Sequence, residues 1–310
     1  MVKTFLIEIL ICPACLPEES YLELKNYIQE DDDIVSGNLI CNKCGAKYRI
    51  ENGIAILTPD PNWTPSKDNK YENSKVISSY LWSHYGDWLN DSDWIPAYLK
   101  WASLINPIDG FSLDIGCAVG RTVFELARKS KFSIGIDLSL SFVKTSRELM
   151  KRGELNFELI EEGYITKPAK IKLSDEFQRE NIDFIVADAL ALPFKGELFK
   201  CVTSLNILDK VPSPLKHIEE MNRVSSFKDA QILISDPFSW NEEVAKIEDW
   251  LGGKREGNYS GYGIENLIEI LKNHIHPSWS INQIGEVFWK IRNHRNHFEF
   301  IRSLYVKASR

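Results

Sequence analysis

Between residues 111 and 235 short apolar strands alternate with amphipathic helices, and this alternation limits the available folds more than any other feature of the chain. The strand "FSLDI" leads into "RTVFELARKS", "FSIGID" into "SFVKTSRELMKR", "DFIVAD" into a loop, and "KCVTSL" into "SPLKHIEEMNRV", followed by "QILIS". Strands that are apolar along their whole length must be covered on both faces. They predict an α/β fold with a mostly parallel sheet and helices on either side. A helix around 263–273 comes next, and "WSINQIG" and "FEFIRSLYVKA" supply two last strands, antiparallel at the sheet edge. Sheets of this kind bind ligands beyond the carboxyl ends of their strands, which directs attention to the loops there.

The N-terminal segment follows a different logic. Cys12 and Cys15 in "CPAC" and Cys41 and Cys44 in "CNKCG" form two paired-thiolate knuckles. Thiolates two residues apart share one ion, so the four sulfurs are expected to hold structural zinc. Disulfides and redox-active pairs are the competing readings; a cytoplasmic location opposes the first, and the lack of an adjacent βαβ pattern opposes the second. A segment this short has little core of its own and would depend on the ion. "YRIENGIAIL" (48–57) predicts two strands around an Asn-Gly turn, and "TPDPNWTPSKDNK" (58–70) a linker. Residues 71–105 place Tyr80, Trp82, Tyr85, Trp88, Trp94, Tyr98 and Trp101 at helical spacings, suited to packing or to a lid. The expected organisation is a zinc ribbon over 1–58, a linker and aromatic-rich helical cap over 59–110, and the α/β domain over 111–310. Cys117 and Cys201 lie in apolar strand contexts and are expected to be small buried hydrophobes.

A net charge of -7 on 310 residues and a pI near 5.5 argue against a broad nucleic-acid footprint, which needs clustered Lys and Arg. The run Glu30, Asp31, Asp32, Asp33 between the knuckles is a solvated face rather than an RNA-facing one. No apolar stretch approaches the roughly 18 residues of a membrane span. "MVKTFLIEILIC" is interrupted by Glu8 and lacks a cleavage site, so the expected location is cytoplasmic.

The first strand of the α/β domain runs into "LDIGCAVG" (113–120), where Gly116 and Gly120 are separated by three residues and no G-x-G-x-x-G is present. A wider turn opened by Asp114 suits a ligand without a pyrophosphate. Asp137 ends the second strand, where its oxygens can accept from adjacent ribose hydroxyls, and Asp188 ends the third, placed to accept from an exocyclic adenine amine. Three acids at three successive strand ends suit a nucleoside joined to an amino acid.

Together these residues resemble the class I S-adenosylmethionine-dependent methyltransferases across roughly 111–235. The resemblance implies a Rossmann-like, mostly parallel seven-stranded sheet with helices on both faces. It further implies S-adenosylmethionine as cofactor, with Asp114, Gly116 and Gly120 around the methionine part, Asp137 on the ribose, Leu138 beside the adenine, and Asp188 with Ala189 on the adenine edge. Ala118 stands where the pattern usually has glycine. The ribbon, with "LIEILICPAC" before the first knuckle and "YRIENGIAIL" after the second, is similar to the zinc-ribbon activator subunit of tRNA, rRNA and release-factor methyltransferases. "SLNILDKVPSP" (204–214), "SDPFSWNEEVAKIEDWLGG" (235–253) and "FWKIRNHRNHFEF" (288–300) are similar to the methyltransferase domain of ovothiol-biosynthesis enzymes, which methylates a mercaptohistidine imidazole.

The segments similar to the ovothiol enzymes lie on the substrate side, so they favour a small-molecule acceptor with an imidazole, amine or thiol nucleophile. The Asn-Pro-Pro-Tyr tetrapeptide of enzymes that methylate planar amides and exocyclic amines is absent. Asn206 and Asp209 are expected to line the acceptor side, with Asp236, Trp240 and Trp250 as the opposite wall, and Arg292 or Arg295 to pair with an acceptor carboxylate. His274, His276, His294 and His297 have no acidic or cysteine partner at ligand spacing and are expected to be surface residues. Two alternatives remain: a methyltransferase acting on a translation-related macromolecule or protein partner docked by the ribbon, and a non-catalytic zinc-ribbon adaptor.

Overall fold

The computed structural model describes residues 2–66 and 68–310. The ribbon consists of β1 (Val2–Lys3), β2 (Leu22–Glu30), β3 (Asp33–Cys41), β4 (Lys47–Glu51) and β5 (Ile54–Leu57), and the cap of α1 (Ser74–Tyr85) and α2 (Ala97–Ser103). The α/β part then runs β6 (Phe111–Ile115), α3 (Arg121–Ala127), β7 (Phe132–Asp137), α4 (Leu140–Arg152), β8 (Glu154–Glu162), β9 (Ile165–Lys172), β10 (Ile182–Ala187) and β11 (Phe199–Leu205). It finishes with α5 (Pro214–Val224), β12 (Gln231–Asp236), α6 (Gly263–Glu269), β13 (Ser280–His294) and β14 (His297–Ser309).

Seven strands form the central sheet in the order β10-β7-β6-β11-β12-β14-β13. The first five are mutually parallel, and β14 and β13 close the far edge as an antiparallel hairpin, as the pattern predicted. Local signals set the element ends. Ser139 caps α4 by accepting from the Phe142 amide at 3.1 Å, and Gly153 ends the helix in the left-handed region at φ 72°. Asn52 and Gly53 both take positive φ, 52° and 74°, which gives the turn between β4 and β5 the twist a two-residue hairpin needs.

The ribbon is not a separate bead ahead of a linker. Its last strand pairs in parallel with β10 through Ile56 and Val186 and through Leu57 and Ala187, so the ribbon's strands and the central sheet are one hydrogen-bonded surface. Residues 9–11 also pair with the segment after β10: Ile11 N donates to the Pro193 carbonyl at 3.0 Å and Lys195 N to the Ile9 carbonyl at 3.1 Å. Leu6, Leu10, Leu39 and Tyr48 of the ribbon share one apolar cluster with Leu113, Ile115, Phe194 and Phe199. The physical reason is edge protection: without β5, β10 would present a bare row of backbone donors and acceptors.

The cap is fastened to the sheet domain by a buried guanidinium. Arg121, 2% exposed, donates to both carboxylate oxygens of Asp87 at 2.9 and 2.8 Å and to Glu125 at 2.9 Å, and it stacks on Trp88 at 4.4 Å. The planar fork suits this bidentate pairing. The excursion between α4 and β10 is the β8–β9 hairpin, a separate two-stranded sheet that packs on α1 and α4. Among the described residues no helix is long and apolar enough to cross a membrane.

Candidate active site and metal centre

A cavity of about 370 Å³ opens at the carboxyl ends of β10, β7, β6 and β11, under the cap. The three acids singled out in the sequence meet there because their strands are neighbours: Asp114 in β6, Asp137 at the end of β7 and Asp188 just after β10 all line the cavity. Gly116, Leu138 and Ala189 line it too. At Gly116 the backbone takes φ +71°, a left-handed conformation that disfavours any side chain, and an added Cβ would sit 2.1 Å from Ile207 Cδ1, so the Ile207 side chain would have to swing away. Gly120 does not line the cavity; at φ +87° it makes the turn into α3, beside the Phe184 ring. Ala118, at the position where glycine is usual, adopts φ +46° and is held there from both sides: its amide donates to Asp137 Oδ2 at 2.9 Å, and its carbonyl accepts from Ser146 Oγ at 2.9 Å.

These contacts shape the electrostatics. Asp137 is raised to about 6 by burial, against the opposing pull of the Ser139 and Ala118 amides that donate to its two oxygens. Asp114 is raised to about 7, again by burial, although Thr203 Oγ1 donates to its Oδ1 at 2.6 Å. Each carboxylate keeps acceptor capacity beyond these bonds, since an ionised carboxylate offers about four lone-pair sites.

On the acceptor side the expectations divide. Asn206 lines the cavity at φ 61°, its Oδ1 accepting from Ser303 Oγ at 2.6 Å, while Ser303 in turn accepts from Trp289 Nε1 at 3.0 Å. Asp209, Asp236, Trp240 and Trp250 are outside the lining. The two acids turn into the loop after β12 to satisfy its amides: Asp236 Oδ1 accepts from Phe238 N at 2.7 Å, and Asp209 Oδ2 from Ser239 N at 2.8 Å. Burial raises both carboxyls. Trp240 and Trp250 stack on each other, centroids 6.3 Å apart, as packing for that loop. Lys210, paired with Asp209 Oδ1 at 3.0 Å, is the member of this group that reaches the cavity.

Arg292 is committed elsewhere: it is buried, donating to Glu161 at 2.6 Å and to the Ile160 carbonyl at 2.8 Å. Arg295 does not line the cavity. The wall facing the acids comes instead from Tyr71, Tyr80, His84 and Tyr98 of the cap and from Trp289 of β13. The aromatic spacing of 71–105 was the signal for them, but it did not say which rings face inward.

The four ribbon cysteines converge. Their sulfurs all lie within 4.8 Å of one another, with Cys12–Cys44 and Cys15–Cys41 both at 3.7 Å. Cys12 is raised to about 12 by burial; Cys41 would also be raised by burial, but the Cys44 and Lys43 amides that point at its sulfur bring it to about 7. Among the described residues no other cluster of three or more His, Cys, Asp or Glu has metal-ligand geometry, the four late histidines included. Cys117 and Cys201 are buried and free.

Residues 113–226 match the methyltransferase domain family, and residues 3–53 match the Trm112p-like protein family. A stretch of 115 residues is 30% identical to norajmaline N-methyltransferase of Rauvolfia serpentina, covering 37% of this chain and 32% of that protein, so the match spans about a third of the curated relative. Among solved structures, a S-adenosylmethionine-dependent methyltransferase of Methanosarcina mazei is 16% identical, with a TM-score of 0.43 over 70% of this chain and 97% of its own. A complex containing the Haloferax volcanii Trm112 methyltransferase activator is 14% identical, with a TM-score of 0.44 over 79% of this chain and 100% of its own. A Trm112p-like segment at 3–53 and a domain of the methyltransferase family at 113–226 are thus joined in one chain and share one sheet.

Proposed function

We propose that the protein transfers the methyl group of S-adenosylmethionine to a nitrogen or sulfur nucleophile of a small molecule. The observation that carries this is the convergence of Asp114, Asp137 and Asp188 with the Gly116 turn on one cavity. The cofactor supplies an electrophilic methyl on a sulfonium whose departure as a thioether needs no acid. Asp137 would accept from the ribose hydroxyls and Asp188 from the adenine amine, between apolar contacts from Leu138 and Phe142. The turn at Gly116, which has no side chain, would let the methionine part lie against backbone. The task left to the chain is positioning and exclusion of water, which the aromatic cap provides.

A small acceptor is favoured because the wall facing the acids is interior. Tyr98 and His84 are both buried yet line the cavity, and none of the described ribbon residues does. The ribbon's four thiolates would hold zinc: a tetrahedral ion with bonds of about 2.3 Å sets sulfurs about 3.8 Å apart, close to the observed spacing. The ion would fasten the strand that covers β10.

Calorimetry with S-adenosylmethionine and its demethylated product, followed by methyl-labelled cofactor supplied with a metabolite extract, total RNA or total protein, tests the proposal. Label in the metabolite fraction is the expected result. Label in RNA or protein would sink the small-molecule assignment, and no saturable binding would sink the enzyme.

A further inference from the structure

We propose that His84 orients the methyl acceptor and that this acceptor is an amine on a compact aromatic small molecule, an inference that rests on the methyl-transfer reading above. His84 is 2% exposed, and neither ring nitrogen has a hydrogen-bond partner among the described residues, yet the ring lines the cavity. Buried polar atoms left without partners are costly, and the fold keeps this one at the end of α1, pressed against Tyr98 with centroids 3.8 Å apart. Phenylalanine would fill the same space without that cost. A polar ring kept here has a use.

The charge and surface around it say what it would meet. Tyr80 and Tyr98 flank the ring, and Tyr71 and Trp289 extend the same wall, so the subsite offers aromatic faces, which attract cations and stack on planar rings. The carboxyls of Asp114 and Asp137 line the same cavity, and Asp137 is taken by the ribose in the reading above. Lys210 is the single lysine or arginine among the described lining residues, and it is already paired with Asp209. An anionic acceptor finds nothing to match it, whereas an amine on a planar ring suits the aromatic faces.

Burial, and then the nearby Arg121 guanidinium, hold His84 well below its ordinary value, so the imidazole is neutral with one N–H and one lone pair. The acceptor arrives as an ammonium and first gives one proton to solvent; the imidazole lone pair then accepts an N–H of the neutral amine and aims the nitrogen's own lone pair away from the ring. In the transfer the nitrogen lone pair forms the new N–C bond and the methyl–sulfur bond breaks with its pair staying on sulfur. The proton shed by the resulting ammonium is passed to water.

The test compares the wild-type protein with His84→Phe and His84→Gln, using S-adenosylmethionine by calorimetry, thermal melting without ligand, and labelled methyl transfer to tyramine, tryptamine and histamine, with 2-phenylethanethiol as the uncharged control. The expected result is labelling of at least one amine and not of the thiol. In His84→Phe, cofactor Kd stays within about threefold, kcat/KM for the amine falls about 10- to 100-fold, and the ligand-free Tm rises by about 2–6 °C as the unpartnered ring nitrogens are removed. His84→Gln, which keeps a donor and an acceptor, recovers part of the turnover. Labelling of the thiol alone, or of none of the amines, overturns the amine assignment. A tenfold loss of cofactor affinity in His84→Phe, or unchanged amine turnover, overturns the role of His84. Absence of saturable cofactor binding by the wild type defeats the methyl-transfer reading itself, a result distinct from these.

Discussion

Ile56 of the ribbon and Val186 of β10 are register partners in parallel strands, so the last strand of the cysteine-bearing segment lies between β4 and β10 and joins the ribbon to the sheet that builds the cavity. Asp188 follows β10 directly. The four-cysteine cluster and the cavity are therefore connected through hydrogen-bonded strands.

Loss of the metal is expected to reach the cavity by that route. Zinc held by four thiolates contributes on the order of 10 kcal/mol to a small domain's folding, and without it β5 no longer covers β10. Chelation, or Cys15→Ser at a partly exposed ligand, is expected to lower the Tm by about 10 °C or more, raise light scattering and weaken cofactor binding. Melting curves with and without chelator check this; an unchanged Tm would show that the ribbon stands without an ion.

The glycine turn makes opposite predictions at two neighbouring positions. Gly116→Ala adds left-handed strain at φ +71° and pushes the Ile207 side chain, 2.1 Å from the new Cβ, within the cavity it lines; it is expected to weaken cofactor binding about tenfold or more. Ala118→Gly removes a methyl from a residue already at φ +46° and relieves left-handed strain of about 1–2 kcal/mol, offset in part by the freer unfolded chain. It is expected to be neutral or stabilising by up to about 1 kcal/mol and to keep cofactor affinity. Denaturant titration and calorimetry of the two variants decide the matter.

Acidity acts in two directions. Burial raises Asp114 to about 7 and Asp137 to about 6 from 3.8, so the fold prefers their neutral forms. Their contribution to stability is complete below the unfolded value and is lost as pH rises through about 6 to 7. The Tm advantage of wild type over Asp114→Asn, measured without ligand, is expected to shrink as pH rises from about 4 to about 8. Cofactor affinity should run the other way, falling by up to about tenfold per pH unit as Asp137 protonates below about 6.

Trp240 and Asp209 stand outside the cavity, and their variants are expected to behave accordingly. Trp240→Ala removes one partner of the Trp250 stack and is expected to cost about 2 kcal/mol of stability, leaving cofactor Kd and acceptor KM within about threefold. Asp209→Asn disturbs the anchor of Lys210 and should likewise spare cofactor affinity. Steady-state kinetics set beside melting separates the two effects; a large rise in KM with an unchanged Tm would return these residues to the acceptor site.

Features that depend on near neighbours along the chain could be read from the residues alone. The strand and helix order, the hairpin at Asn52 and Gly53, the two cysteine knuckles and the placing of Asp114, Asp137 and Asp188 at strand ends are all local patterns, and adjacency of β10, β7 and β6 then brings the three acids together. Which way side chains face after the chain turns was set by long-range packing. Asp209 and Asp236 occupy the right loops but spend their oxygens on amides two or more residues away, Arg292 is taken by Glu161 from a hairpin 131 positions earlier in the chain, and His84 is drawn into the cavity by a helix whose aromatic spacing looked like ordinary packing. The pairing of β5 with β10 was equally invisible, because backbone hydrogen bonds between distant strands leave no residue-specific mark on the sequence. Strand-end chemistry is written locally, whereas the acceptor wall is assembled from segments that meet only when the core has packed.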